Sequence, residues 1–87
     1  MSTQIDLVIF GARGDLANRK LFPALFWLDQ AGLLADSVQI AAVARDDLDT
    51  SGFIEQTRQT LQPILERASS SDATWHRFSQ RLDYINV

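Results

Sequence analysis

The chain has 87 residues, 46% of them hydrophobic and 22% charged, with no Cys, one His and a formal net charge of −3. That length holds one small domain at most, and the composition is that of a globular rather than a disordered chain. The missing Cys removes disulfides, Cys-based zinc sites and thiol nucleophiles, the single His argues against a dedicated transition-metal site, and the mild acidity argues against non-specific nucleic-acid binding.

The start, Met1-Ser2-Thr3-Gln4-Ile5-Asp6, carries no basic segment. The apolar run after it, Leu7 to Phe10, is too short for a signal-peptide core or a membrane span, so a soluble cytoplasmic chain without membrane partners is expected. Ile5 to Phe10 reads as a first strand, too short for a helix and apolar enough to be covered on both faces, as at the centre of a parallel sheet. Gly11-Ala12-Arg13-Gly14 is a turn, and Asp15 opens a helix in which Leu16, Ala17, Leu21, Ala24, Leu25 and Leu28 recur at helical spacing. Pro23 predicts a kink or break near Leu21-Phe22, with the proline in the first turn of the second part, and Gly32 sits at a C-cap position.

Val38 to Arg45 predicts a second strand. Asp49-Thr50-Ser51 supplies N-cap oxygens for a helix whose buried face is Phe53, Thr57, Leu61 and Ile64 or Leu65, with Glu55 in its first turn. Pro63 and the polar cluster Ser69-Ser70-Ser71-Asp72 close that helix, and a shorter one runs from about Ala73 to Arg81. Leu82 to Val87 alternates and reads as a third strand. The expected fold is therefore α/β, in the order β-α-β-α-α-β. Right-handed crossovers then give a parallel three-stranded sheet in order 3-2-1, one Rossmann-type mononucleotide-binding half of an incomplete doubly wound domain spanning residues 1–87.

A glycine-rich turn between a strand and a helix is suited to phosphate. Glycine lets the backbone approach an anion, and the first helical N–H groups have no partners within the helix. In the G-x-G-x-x-G/A fingerprint, Ala12, Gly14 and Ala17 occupy the three places, with Gly11 in front. No Gly-Lys-Ser/Thr ending follows, which disfavours a P-loop NTPase. Arg45 at the end of the second strand suits a ribose 2′-phosphate, because guanidinium binds phosphate bidentately; Asp46 and Asp47 follow at once and suit a ribose hydroxyl. NADP is thus the expected coenzyme, with NAD open, and a solvated Arg45 paired with Asp46 or Asp47 is the alternative. Arg13, Arg19 and Lys20 gather around the same turn, either as phosphate-facing charge or as a solvated helix face.

The stretch Gly11-Ala12-Arg13-Gly14-Asp15-Leu16-Ala17-Asn18-Arg19-Lys20-Leu21-Phe22-Pro23, behind a Val-Ile-Phe strand, resembles the amino terminus of the glucose-6-phosphate dehydrogenase family. Ala42-Val43-Ala44-Arg45 is similar to that family's second-strand ending, and Arg81-Leu82-Asp83-Tyr84 to the approach to its third strand. The resemblance implies that Gly11, Ala12, Arg13, Gly14, Asp15 and Leu16 form the turn that holds the coenzyme diphosphate, that Arg45 binds the 2′-phosphate, and that Lys20 projects toward glucose 6-phosphate. Arg13 stands where small hydroxylated residues are usual in the family. The implied activity is oxidation of glucose 6-phosphate to 6-phosphogluconolactone, the first step of the pentose phosphate pathway.

The family's catalytic and sugar-binding residues have no counterpart in these 87 residues, so no catalytic residue is assigned and the chain alone is expected to be inactive. His76 has Asp72 at i−4 and Ser79 at i+3, but one helix face cannot give a catalytic triad its geometry, and i, i+4 pairing accounts for the acid. The competing readings are a stand-alone nucleotide-binding module and a self-associating one. In the latter, the unpaired strand edge and a bare sheet face meet a second copy or a missing domain half.

Overall fold

Each run expected to be a strand becomes one, trimmed by one to three residues: β1 (Leu7–Phe10), β2 (Ile40–Ala44) and β3 (Leu82–Asn86). The computed structural model describes residues 5–68 and 72–87, so Ser69, Ser70 and Ser71 of the expected loop cluster lie outside the described residues. The strands pair in parallel in the order β1-β2-β3, with Ile9 opposite Ala42 and Ala42 opposite Tyr84. Asp6 ends the regular part of β1: its carboxylate accepts the Gln39 N–H at 3.0 Å.

After β1 the chain turns helical at Asp15. Ala17–Leu21 forms a π-helical turn that runs into α1 (Phe22–Gln30), with Pro23 in the first turn of α1. The expected kink thus takes the form of a widened turn, closed by the Phe22 N–H donating to the Ala17 carbonyl. At the other end Gly32 takes φ +76°, the Leu33 N–H reaches the Leu28 carbonyl at 2.9 Å and the Gly32 N–H reaches that of Asp29 at 3.0 Å. This pair of bonds is a Schellman cap and needs the left-handed residue that glycine supplies.

Between β2 and β3 the described residues form three helices rather than two: α2 (Thr50–Thr60), α3 (Gln62–Arg67) and α4 (Asp72–Ser79). Asp49 caps α2, its carboxylate accepting the Gly52 N–H at 2.7 Å. The single helix expected to carry Phe53 through Ile64 or Leu65, with Pro63 near its end, instead breaks at Leu61, and Pro63 sits in the first turn of α3. Proline has no N–H to give to the preceding turn, so it starts a helix more readily than it ends one. The predicted face survives the break, since Phe53, Thr57, Leu61 and Leu65 are all buried.

Both crossovers step in the same direction along the sheet, so right-handed connections put every helix on one face. The core follows that geometry. Ile9, Ile40, Ala42, Ala44, Leu82 and Tyr84 of one sheet face share a cluster with Phe22, Phe26, Phe53, Trp75 and Phe78 of the helices. The small alanines of β2 leave room for these rings, which meet edge-on (Phe26–Phe78, 5.6 Å) or stacked (Phe53–Tyr84, 4.9 Å). The opposite face carries Val8, Phe10, Val43 and Ile85, with Phe10 78% and Val8 46% exposed. The expectation that β1 is covered on both faces therefore fails: Ile9 alone of its residues is buried, because no described helix lies on the other side.

A buried ion pair locks the end opposite the glycine turn. Asp29 of α1 and Arg81, just before β3, meet at 2.7 Å with side chains only 2% and 3% exposed. The Arg81 guanidinium also donates to the carbonyls of Ala35 (2.6 Å) and Val38 (3.1 Å), so it holds the segment between α1 and β2 in place. No helix among the described residues is long and apolar enough to cross a membrane.

Candidate functional site

The carboxyl ends of the strands open onto a cleft of about 420 Å³ lined by Phe10, Gly11, Arg13, Gly14, Val43, Ala44, Arg45, Asp46 and Val87. Gly11 makes the turn with φ +65°, a conformation that L side chains rarely adopt. At Gly14 a Cβ would stand 3.1 Å from the Gly11 carbonyl oxygen, so a side chain there would need the turn to give by a few tenths of an ångström. The turn is braced from inside: the Gly14 N–H donates to Gly11 O at 2.8 Å, and the Asn18 amide donates to Gly14 O at 2.8 Å.

Each expected turn residue can now be placed. Ala12 is fully buried and its N–H donates to the Val43 carbonyl at 3.0 Å, extending the β1–β2 ladder past the strand. Ala12 and Gly14 therefore shape the turn and have no N–H to spare. The N–H groups of Arg13, Asp15 and Leu16 take part in none of the turn's hydrogen bonds. These are the free donors at the start of the helix, where its dipole favours an anion. Asp15 forms an exposed i, i+4 pair with Arg19 at 3.1 Å.

The second part of the site is the corner after β2. Arg45 is exposed on the cleft rim and, among the described residues, its guanidinium has no ion-pair partner. The alternative in which Asp46 pairs with Arg45 does not form: Asp46 Oδ2 lies 3.3 Å from Arg13 Nε, across the mouth of the cleft. Sequence reasoning missed what fixes this corner. The Tyr84 hydroxyl donates to the Asp46 carbonyl at 2.6 Å, and the Asn86 amide donates to the carbonyls of Asp46 and Arg45. The signal was the parallel register, which sets Asn86 opposite Ala44 and so beside the first residues after β2.

Lys20 is not part of this cleft. With Asp15, Leu16 and Arg19 it lines a neighbouring hollow of about 560 Å³ along the first helical turns. His76 lies in a third place, lined by Arg58, Asp72, Ala73 and Trp75. Its ring meets the Gln80 amide at 3.0 Å, Asp72 pairs with Arg58 at 3.3 Å, and the Ser79 hydroxyl donates to the His76 carbonyl, so the apparent triad does not assemble.

A parallel sheet with a glycine turn after its first strand, free helix-start N–H groups and an unpaired guanidinium at the next strand end defines a Rossmann-like α/β fold of the dinucleotide-binding type. A family model described as glucose-6-phosphate dehydrogenase, NAD binding domain, matches residues 8–87. The chain belongs to the glucose-6-phosphate dehydrogenase family, through that domain. The glucose-6-phosphate 1-dehydrogenase of Dickeya dadantii is 42% identical over 82 residues, 94% of this chain and 16% of the relative. That of Mycolicibacterium smegmatis is 40% identical over 94% of this chain and 17% of its own length. The crystal structure of the Mycobacterium avium enzyme superposes with a TM-score of 0.81 at 33% identity, over 99% of this chain and 18% of that one. A glucose-6-phosphate dehydrogenase solved with its substrate glucose-6-phosphate gives a TM-score of 0.74 at 34% identity, over 100% of this chain and 18% of that one. The chain thus spans less than a fifth of the length of these relatives.

Proposed function

We propose that residues 1–87 are the amino-terminal half of the coenzyme domain of an NADP-dependent glucose-6-phosphate dehydrogenase, and that the strand-end cleft holds NADP. The observation that carries this reading is a free donor and a free cation on one cleft, the Arg13 N–H at the glycine turn and the Arg45 guanidinium at the strand end, with the N–H groups of Asp15 and Leu16 following at the helix start beside it. The donor set fits the coenzyme. Backbone N–H groups at a helix start suit a diphosphate, the two glycines leave room for it, and a guanidinium suits the 2′-phosphate. When bound, NADP supplies the hydride acceptor for oxidation of the sugar at C1. Arg45 supplies selectivity for NADP over NAD, and Lys20, in the neighbouring hollow with Asp15, Leu16 and Arg19, is the cation offered to the sugar phosphate.

The cleft itself is lined by no His, Lys or Glu, so in this reading the chain binds and orients and does not take a proton from the sugar. The same reading assigns a cytoplasmic setting, since its ligands are phosphorylated and do not cross membranes unaided. A second reading, association of the sheet face with another copy or with the rest of the domain, is favoured by the exposure of Val8 and Phe10 on β1, whose outer edge has no partner strand among the described residues. Backbone amide NMR tests the first reading. NADP is expected to shift the amides of Arg13, Asp15, Leu16 and Arg45 and to leave those of α3 unmoved; shifts confined to other surfaces, or none, contradict it.

A further inference from the structure

Arg13 lies on the cleft but its guanidinium is engaged with Asp46 rather than free. The pair is partly sheltered, with side-chain exposures of 23% and 50%. The backbone at Asp46 is held in place, because Tyr84 and Asn86 bind its carbonyl from β3. Its carboxylate lines the same cleft as Arg45, one residue away, with Arg13 as its counter-charge. A bare carboxylate in that place would accept a ribose 2′-hydroxyl and repel a 2′-phosphate.

We propose that Arg13 is a positioning residue for coenzyme choice: by pairing with Asp46 it removes the carboxylate from competition and leaves Arg45 to select the phosphorylated coenzyme. This inference rests on the reading that the cleft binds NADP. In it Arg13 acts through Asp46 and not by its own contact with phosphate. The cleft side chains Arg13, Arg45 and Asp46 together carry one net positive charge, and loss of Arg13 brings that to zero with an acid uncovered. The consequence is specific to NADP, because NAD has no 2′-phosphate to be repelled.

The test is calorimetric titration of the chain with NADP and with NAD, for the unaltered protein, Arg13→Ala, Asp46→Asn, the double variant and Arg13→Lys. Arg13→Ala is expected to weaken NADP by about fivefold, the range of a partly exposed ion pair, while NAD holds or tightens. With Asp46→Asn already present, the same change is expected to cost less than about twofold, and Arg13→Lys is expected to recover most of the loss. An Arg13→Ala loss of equal size with and without Asp46 would mean direct contact with phosphate and would overturn the inference. So would an equal loss for NADP and NAD, the mark of a merely structural role. If the unaltered chain takes up no NADP, the proposed function itself fails, a result visible before any variant is titrated.

Discussion

At the scale of single residues, the site depends on two glycines and one unpaired arginine. Gly11 holds φ +65° with open space where a Cβ would point, so a side chain there suffers backbone strain without a clash. Gly11→Ala is expected to cost about 1–2 kcal/mol, and Gly11→Asn less, since Asn tolerates the left-handed region better. Urea unfolding reads this as a lower midpoint with an unchanged slope. The sequence already pointed to Gly11, Gly14 and Arg45, because turn chemistry and strand-end charge are local properties. It did not show which charge would meet which. Asp46 lies next to Arg45 in sequence but pairs with Arg13, 33 positions away, because parallel pairing of β1 and β2 brings the turn and the strand end together.

At the scale of elements, the strands were legible as apolar runs, and the start of α1 was legible from Pro23. The break at Leu61 was not, since the buried face of Phe53, Thr57, Leu61 and Leu65 keeps its period through it. Nor was the Asp29–Arg81 pair, whose members stand 52 residues apart and meet only once α1 and β3 are both packed. Breaking such a buried pair from one side strands a charge, which typically costs about 3–5 kcal/mol. Asp29→Ala is therefore expected to leave the chain largely unfolded at room temperature by circular dichroism, and Asp29→Leu with Arg81→Met to recover part of the loss. If Asp29→Ala is as stable as the unaltered chain, the lock between α1, the segment of residues 31–39 and β3 is not what holds them. Arg81→Lys is not expected to substitute, because a single ammonium cannot reach Asp29 and both the Ala35 and Val38 carbonyls in the guanidinium's fork geometry.

At the scale of the whole molecule, one layer of helices on a three-stranded sheet leaves Val8, Phe10 and Ile85 of the outer strands exposed on the other face. Removing a large apolar side chain such as Phe10 from water is worth up to about 3 kcal/mol, enough to favour contact with another surface. Sedimentation is expected to show association that grows with concentration and is reduced by Phe10→Lys; a compact monomer at high concentration contradicts this. A pure sample is expected to form no NADPH from glucose 6-phosphate and NADP, because His76 lies away from the cleft and no other candidate base lines it beyond the paired Asp46. The central claim is that the strand-end cleft binds NADP through Arg45. Isothermal titration of NADP into the chain, beside its Arg45→Ala variant, tests it most directly. Losing a charge-assisted hydrogen bond of about 1.5–3 kcal/mol predicts binding in the micromolar range that weakens roughly tenfold to a hundredfold in the variant. No heat at millimolar NADP, or equal affinity for the two proteins, would contradict it.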